Sequence, residues 1–524
     1  MSDAFFRLLL ENLGLSRNEW EERSRMDSFS SLRLPDSDPL FQKSVNLLRE
    51  SLSRKEKIVV YGDYDVDGLT STAILVRALR LLGGQVGFFI PSRFHEGYGL
   101  NEAYVKPFAE KGYSLLVTVD NGVSALEPVK KAKALGLKVL IIDHHDLPKE
   151  LPASDAIFHP TLTRYDEAAP SAASLAYFVA RALLGRDDPY LATLAGMAVF
   201  SDVMPLQGNN LVFARLARKY LNQYQFENLV QLLPSGPYSY EDFSFRLIPT
   251  LNSPGRVSPD PLATNDACRF LVGGYPKEKG ALYASSLLRE NAERKNLVQT
   301  LKPLEKRTLS TSHGIASYYP TNLGVGGLLA GRILREKDVP VLVVTDDYKD
   351  SALSTFSIRA PEGYSFTSFL SSHASLFLAA GGHPRACGGT IRKKDYFQFA
   401  TLFLTEAEGQ ALSVRAPEEK RIGLILSDLT WENYKVLDSF APFGEGFKAP
   451  SFLLTAEKES LRENEKRTQV YALGPEGSKL VYFGKDVDLA SSFSCYDFVG
   501  SFSVNRFQGK ETLQFVAEKA VGRE

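Results

Sequence analysis

The chain has 524 residues, a net charge of −1, 44% hydrophobic and 23% charged residues. That is the balance of a globular protein too long for one core, so two to four domains are expected. No apolar run reaches the length of a membrane span, and the start, MSDAFFRLLLENLG, does not read as a secretory signal. Cys268, Cys387 and Cys495 lie far apart and form no CxxC pair. Structural zinc and a disulfide framework are therefore not expected, and a reducing cytoplasm fits. With so little net charge, binding a polyanion would need basic patches set against acidic regions elsewhere.

The first half reads as strand–helix units. KIVVY is a short β-branched strand, and LTSTAILVRALRLLGG has helical spacing that stops at Gly83–Gly84. QVGFFIP and YSLLVTVD are the next strands. SALEPVKKAKALG carries a capping-box pattern from Ser124 to Glu127 and a glycine stop at Gly136. KVLIID is another buried-type strand. This alternation predicts an α/β fold with a mostly parallel sheet and helices on both faces. Residues 170–235 read as largely helical, and YASSLLRENAERKNLVQTLKPLEKRT as a long amphipathic helix suited to connecting two lobes. A smaller α/β unit comes next: GVGGLLAGRILREKDVPVLVVT, ALSTFSIRAPEG, then a helix running into AAGGHPRACGG. TEAEGQALSVRAPEEKR reads as a linker. The tail from Ile422 has short alternating runs, predicting a small β-barrel or sheet module.

Carboxylates gather at the predicted strand ends. Asp63, Asp65 and Asp67 follow KIVVY; Asp120 ends LLVTVD; Asp143 ends VLIID and precedes His144 and His145. In an open parallel sheet these strand ends share one edge, where ligands bind. Asp202, after another apolar run, is a further acid in need of a partner. Such a set suits Mn²⁺ or Mg²⁺ better than structural zinc. A bridging carboxylate would hold two cations about 3.5–4 Å apart, the geometry of two-metal phosphoryl hydrolysis. Taken singly, a DxD is more often a helix cap or solvated loop, a histidine pair is usually a surface or satisfied core feature, and Asp120 could be a cap for the helix after NGVS.

GDYDVDGLTST, VTVDNGVS, IIDHHDLP and AVFSDVMPL resemble, in order, the four motifs of the DHH phosphoesterase superfamily. FIPSRFHEGYGLN, LNSPGRV, LLRENAERK, GVGGLLAGRI, GGHPRACGG and LDSFAPFGEGFKAPSF are similar to segments of its RecJ family, single-strand-specific 5′→3′ exonucleases. The resemblance covers nearly the whole chain. It implies a DHH domain with an N-terminal extension over 1–275, a connector helix over 276–310, a DHHA1 substrate-binding domain over 311–415 and an OB-fold-like barrel over 420–524. Asp65, Asp67, Asp120, His144 and Asp202 match metal-ligand positions, with Asp120 as the bridge and two Mn²⁺ or Mg²⁺ ions. Asp143 would support the site and His145 would face the scissile phosphate. Asp63 is either support for the ligands or a plain turn residue. Arg93, Arg256, Arg359 and the Gly381, Gly382, His383, Arg385 cluster become candidates for the substrate's 5′ phosphate or backbone; the alternative is tight turns with solvated charges.

The resemblance implies a monomeric cytoplasmic enzyme acting on single-stranded DNA in repair and recombination. A helicase and a single-strand-binding protein are the partners such a nuclease would need. Two other readings stand beside it: a DHH/DHHA1 phosphodiesterase for nanoRNA, pAp or cyclic dinucleotides, and a non-catalytic strand-binding scaffold. The chain departs from the family pattern at Tyr61, where some DHH families have histidine, and at Asn322, near an expected histidine. NSPGR and Phe447 are further departures, at an altered Asn-…-Gly-Arg element and at a position that favours asparagine.

Overall fold

Two short helices open the chain, α1 (Asp3–Leu13) and α2 (Arg17–Ser24). Together with Val203–Lys219 and Glu418–Glu524 they belong to one of two compact units; Leu34–Asp202 and Tyr220–Pro417 form the other. The computed structural model describes residues 3–163, 165, 169–301, 307–412, 420–465, 468–484, 486–507 and 510–524.

The larger unit begins with α3 (Pro39–Ser53), where the Asp38 carboxylate accepts the N–H groups of Leu40 and Phe41 at 2.9 Å each. Strands and helices then alternate: β1 (Lys57–Tyr61), α4 (Val66–Leu81), β2 (Gln85–Phe89), α5 (Glu102–Glu110), β3 (Tyr113–Val119), α6 (Leu126–Ala134), β4 (Lys138–Ile142) and β5 (Ala156–Phe158). The sheet order is β2-β1-β3-β4-β5 and every pair is parallel, as the alternation predicts. β1, β3 and β4 are almost continuously buried, as strands covered on both faces must be. On one face Val59, Tyr61, Leu116 and Ile141 pack against Val105, Phe108, Val129 and Ala132 of α5 and α6. α4 and α7 (Ala172–Leu184) cover the other face, and α8 (Pro189–Ser201) packs on α4. The capping box expected at Ser124 does not form; α6 starts at Leu126 without a side-chain cap. This turn is instead held from outside, by the Asp143 carboxylate on the Val123 N–H at 3.0 Å.

The connector helix spans Lys277–Thr300. Residues 302–306, which contain Pro303 and fall within the expected connector, lie outside the described residues. Beyond it a six-stranded sheet has the order β10-β11-β9-β8-β7-β6. Its strands are β6 (Thr308–Thr311), β7 (Gly314–Tyr319), β8 (Val341–Asp346), β9 (Leu353–Arg359), β10 (Phe377–His383) and β11 (Ala386–Arg392). GGHPRACGG thus spans the end of β10, the turn and the start of β11 in an antiparallel hairpin with β10 at the sheet edge, not a loop after a helix. Phe356, Phe366, Phe399 and Phe403 form the core of this lobe. A helix over Tyr396–Ala411 runs into the expected linker, whose residues 413–419 lie outside the described residues.

The smaller unit contains a seven-stranded sheet whose longest pair is β17 (Cys495–Phe507) with β18 (Lys510–Arg523), joined to β12 (Arg421–Ile425) through β13 (Ser451–Glu457) and completed by β16 (Lys479–Tyr482), β15 (Val470–Leu473) and β14 (Arg462–Glu463). The pairing shifts register at Val499/Gly500, where a Cβ on Gly500 would strike the Val516 carbonyl. The N-terminal segment, expected with the residues up to 275, supplies Phe5, Phe6 and Leu9 to the same core as Phe440, Phe452 and Phe515. Phe447, which stands where the family favours asparagine, carries the Arg23 guanidinium 3.7 Å above its ring. Among the described residues no helix is long and apolar enough to cross a membrane.

Both tryptophans of the chain, Trp20 and Trp431, pack against this smaller core, so selectively excited tryptophan fluorescence reports on it. Phe6 meets Trp20 edge-on at 4.9 Å and Phe440 at 5.5 Å. Phe6→Ala is expected to lower the stability read by tryptophan fluorescence in denaturant by about 3–5 kcal/mol, while a far-UV transition of the larger unit keeps its midpoint.

Candidate metal centre and anion pocket

The acidic loop after β1 folds on two glycines. A Cβ on Gly68 would collide with the backbone of Asp63, and one on Gly62 with Thr72, Ile90 and the Gly68 carbonyl. With glycine at both positions the loop closes tightly, and Asp65 caps α4 through the Gly68 N–H at 3.2 Å. Asp67 lies in the first turn, fully buried, and its two oxygens accept the N–H groups of Ala172 and Ala173 at 2.7 Å each. The N-terminus of α7 thereby holds this carboxylate with aligned amides. Tyr61, at the end of β1, donates to the Gly99 carbonyl at 3.1 Å.

Asp120 leaves β3 with φ at +61°, a backbone conformation that costs most residues about 1–2 kcal/mol and that Asp tolerates better than most. Asp143, at the end of β4, organises the histidine turn: its Oδ1 accepts the N–H of His144 at 2.8 Å, the N–H of His145 at 3.2 Å and a ring contact from His145 Nδ1 at 2.8 Å. Asp202 sits at the C-terminal cap of α8, the end of a helix that disfavours negative charge.

These elements deliver three overlapping donor groups, each with ligand atoms within 4.8 Å of one another: Asp67, Asp120, His144 and Asp202; Asp63, Asp65 and Asp120; Asp120, His144 and His145. Asp120 is common to all three. His144 Nε2 lies 3.2 Å from Asp120, 3.4 Å from Asp202 and 3.6 Å from Asp67. The sequence reading leaves Asp63 as support or a turn residue. The fold puts its carboxylate within the second donor group, with Oδ1 buried and unpartnered.

The electrostatics reflect the crowding. Burial, then the neighbouring carboxylates, raise Asp63, Asp120 and Asp202 well above the ordinary range; the same causes push Asp67 up to about 7. Burial also raises Asp143, but the His145 ring and the backbone N–H groups outweigh it and hold that carboxyl low. Burial and the His145 charge push His144 down to about 4, leaving a neutral imidazole able to ligate. For His145, burial lowers the value, yet the Asp143 hydrogen bond and surrounding acids raise it overall. The donor set is hard oxygen plus neutral nitrogen, with an orphaned buried carboxylate oxygen and strong self-repulsion. That set fits divalent cations of the Mn²⁺ or Mg²⁺ type.

Next to this centre is a cavity of about 480 Å³, lined from one side by Tyr64, Arg93 and Phe94 and from the other by Gly324, Gly327 and Ser357. Arg93 stacks on Tyr64 at 4.5 Å, and its Nε is buried without a partner. Burial, then the charges of Arg93, Arg294 and Arg359, push Arg256 down to about 9. Gly324 lies against Arg93 and Arg256, where a Cβ would crowd the Arg93 Cδ and the Arg256 backbone; a Cβ on Gly327 would crowd the Arg359 guanidinium. Gly324 also exchanges bonds with Arg256: its N–H donates to the Arg256 carbonyl at 2.8 Å, and Arg256 Nη1 donates back at 3.4 Å. Asn322 is in the same wall.

Arg93, Arg256 and Arg359 are therefore brought together. Gly381, Gly382 and His383 are exposed on the edge strand, Arg385 sits in the hairpin turn, and none of the four lines this cavity. Gly388 and Gly389, on the return strand, do line it. The sequence reading misses Tyr98, whose OH lies 3.1 Å from His145 Nε2. A signal for it exists: a tyrosine between Gly97 and Gly99, both at positive φ.

Residues 57–199 match the DHH family, N-terminal domain, and residues 422–519 match the RecJ OB domain. The chain is 29% identical to the single-stranded-DNA-specific exonuclease RecJ of Bacillus subtilis, over 91% of this chain and 63% of that protein. It thus spans less than two thirds of that relative's length. To the protein of the same name from Haemophilus influenzae it is 27% identical, over 97% of this chain and 95% of that protein. The crystal structure of RecJ from Thermus thermophilus in complex with Mn²⁺ has a similar fold, with a TM-score of 0.79 at 24% identity, over 99% of this chain and 78% of that one.

Mn²⁺ is expected to raise the thermal midpoint of the wild type, by an amount equivalent to about 2.7 kcal/mol at a hundredfold excess over its dissociation constant. Asp120→Asn is expected to remove most of that response. It should also make the metal-free protein more stable than the metal-free wild type, since one repelling carboxylate is gone. Differential scanning fluorimetry with and without EDTA checks both.

Proposed function

The chain belongs to the RecJ family of DHH proteins, and on that premise we propose that it is a metal-dependent exonuclease degrading single-stranded DNA from the 5′ end to 5′-mononucleotides. The observation that carries this reading is the juxtaposition of the Asp120-centred donor groups with the arginine cluster: Tyr64, between Asp63 and Asp65, lines the cavity with Arg93, and Arg256 feels the charges of Arg93, Arg359 and Asp65. A phosphodiester beside the acids and a terminal phosphate among the arginines would place the first internucleotide bond for cleavage.

Asp67, Asp120, His144 and Asp202 would hold one Mn²⁺ or Mg²⁺ ion, and Asp65 with Asp120 a second, with Asp63 beside them. The ions, when bound, supply charge neutralisation of the attacked phosphate and acidify a water. The chain's own groups do the remaining work. Asp143 fixes His145 through Nδ1 and leaves Nε2 directed outward, beside the Tyr98 hydroxyl, to hydrogen-bond the scissile phosphate. Arg93, Arg256 and Arg359 bind the 5′ phosphate, with the Gly327 backbone, in the first turn of a helix, able to approach it. The OB module supports a strand-length ligand over a dinucleotide, because a small ligand needs no strand-tracking surface. In this reading the protein acts as a cytoplasmic monomer in repair and recombination, on strands exposed by a helicase or a single-strand-binding protein.

A 5′-labelled single strand with Mn²⁺ is expected to release labelled mononucleotide from the first time point, and a 3′-labelled strand to shorten progressively. Internal cuts or 3′-first trimming would refute the polarity. Asp120→Ala is expected to abolish turnover. Arg256→Met is expected to reduce kcat/KM on a 5′-phosphorylated strand by about 10–100-fold, with a smaller loss on a 5′-hydroxyl strand.

A further inference from the structure

The pocket beside the metal centre is bridged by an aromatic contact. Phe94, the residue next to Arg93, meets Tyr348 of the opposite lobe with ring centroids 5.0 Å apart; Tyr348 also meets His95 edge-on at 5.5 Å. Phe94 and Tyr348 both line the cavity.

Each partner is held by its own framework. In the Phe94 loop, Glu96 accepts the Ser92 N–H at 2.7 Å and the Tyr104 hydroxyl at 2.5 Å, and His95 Nε2 reaches the Pro259 carbonyl at 2.7 Å. In the Tyr348 turn, Asp347 Oδ1 accepts the N–H groups of Lys349 and Asp350 at 2.9 and 3.0 Å. Asp346, at the end of β8, is fixed by Lys393 at 2.6 Å and by the Tyr318 hydroxyl at 2.5 Å. The contact is therefore made by two braced turns.

Charge is subordinate to the shape. Asp346, Asp347 and Lys349 line the cavity beside Tyr348, and Asp346 is already paired with Lys393. Arg93, which lines the cavity from the other side, is its nearest match for a 5′-terminal phosphate. A strand continuing past that phosphate would have to displace the Phe94–Tyr348 contact and pass Asp347.

We propose that Phe94 and Tyr348, backed by Asp347, form an end stop that restricts the pocket to a free 5′-terminal nucleotide and refuses strands with a bulky 5′ substituent. They are specificity-determining residues for the 5′ end. This role rests on the exonuclease reading.

The test compares two linear single strands of one sequence in Mn²⁺, one with a 5′ phosphate and one whose 5′ phosphate is esterified with a bulky fluorophore. The wild type is expected to digest the first and spare the second. Tyr348→Ala is expected to raise the ratio of adduct to phosphate-strand rates about tenfold. Phe94→Leu, which keeps an apolar side chain at this buried position, should move it the same way. An unchanged ratio in both variants while the phosphate strand is still digested would overturn the end stop. So would a wild type that digests the adduct strand equally well, or loss of all digestion in both variants. Wild type that fails to digest the 5′-phosphate strand at all would instead refute the exonuclease reading.

Discussion

Mutual repulsion among buried carboxylates is the constraint around which the larger unit is built. Asp63, Asp67 and Asp120 are almost wholly buried, and Asp202 is close beside them. In a low-dielectric interior such a set resists ionisation. The fold keeps it ionisable by aiming amides at it: the α7 N-terminus at Asp67, and the Gly68 N–H at Asp65. Arg93 and His145 add positive charge from the protein, and bound divalent cations would supply the rest. This explains why a left-handed backbone is tolerated at Asp120, the residue common to every donor group.

The acidic cluster has its electrostatic complement close by. Arg93 and Arg256 of the first lobe and Arg359 of the second gather positive charge beside Tyr64, the residue between Asp63 and Asp65. Each cluster asks for a ligand of the opposite sign, and the proposed substrate, a nucleic acid 5′ end, with divalent cations would supply both. The opposing clusters would let a chain of net charge −1 address such a polyanion. Arg256 couples the lobes physically through its reciprocal bonds with Gly324.

Much of this is legible in the sequence because its determinants are local. Short β-branched runs specify the parallel strands, and acids at their ends fall on one edge by topology alone. Features decided by long-range contact are not legible. The Ser124 capping box looks complete in sequence, yet the Asp143 carboxylate takes over that turn from the neighbouring strand. GGHPRACGG reads as a glycine-rich anion loop, but its residues pair in a hairpin, so the return strand, with Gly388 and Gly389, reaches the cavity. The placement of α1 in the C-terminal core depends on residues more than 400 positions away. Asp63 stays between two readings in sequence because its proximity to Asp120 comes from the tight Gly62–Gly68 packing, which a linear spacing does not reveal.

The most direct measurement of the central claim is a crystal structure with Mn²⁺, read by anomalous scattering. The account expects two peaks about 3.5–4 Å apart, with Asp120 between them, one also held by Asp67, His144 and Asp202 and the other by Asp65. No peak at this edge of the sheet, or a single ion that leaves Asp120 unligated, would contradict it.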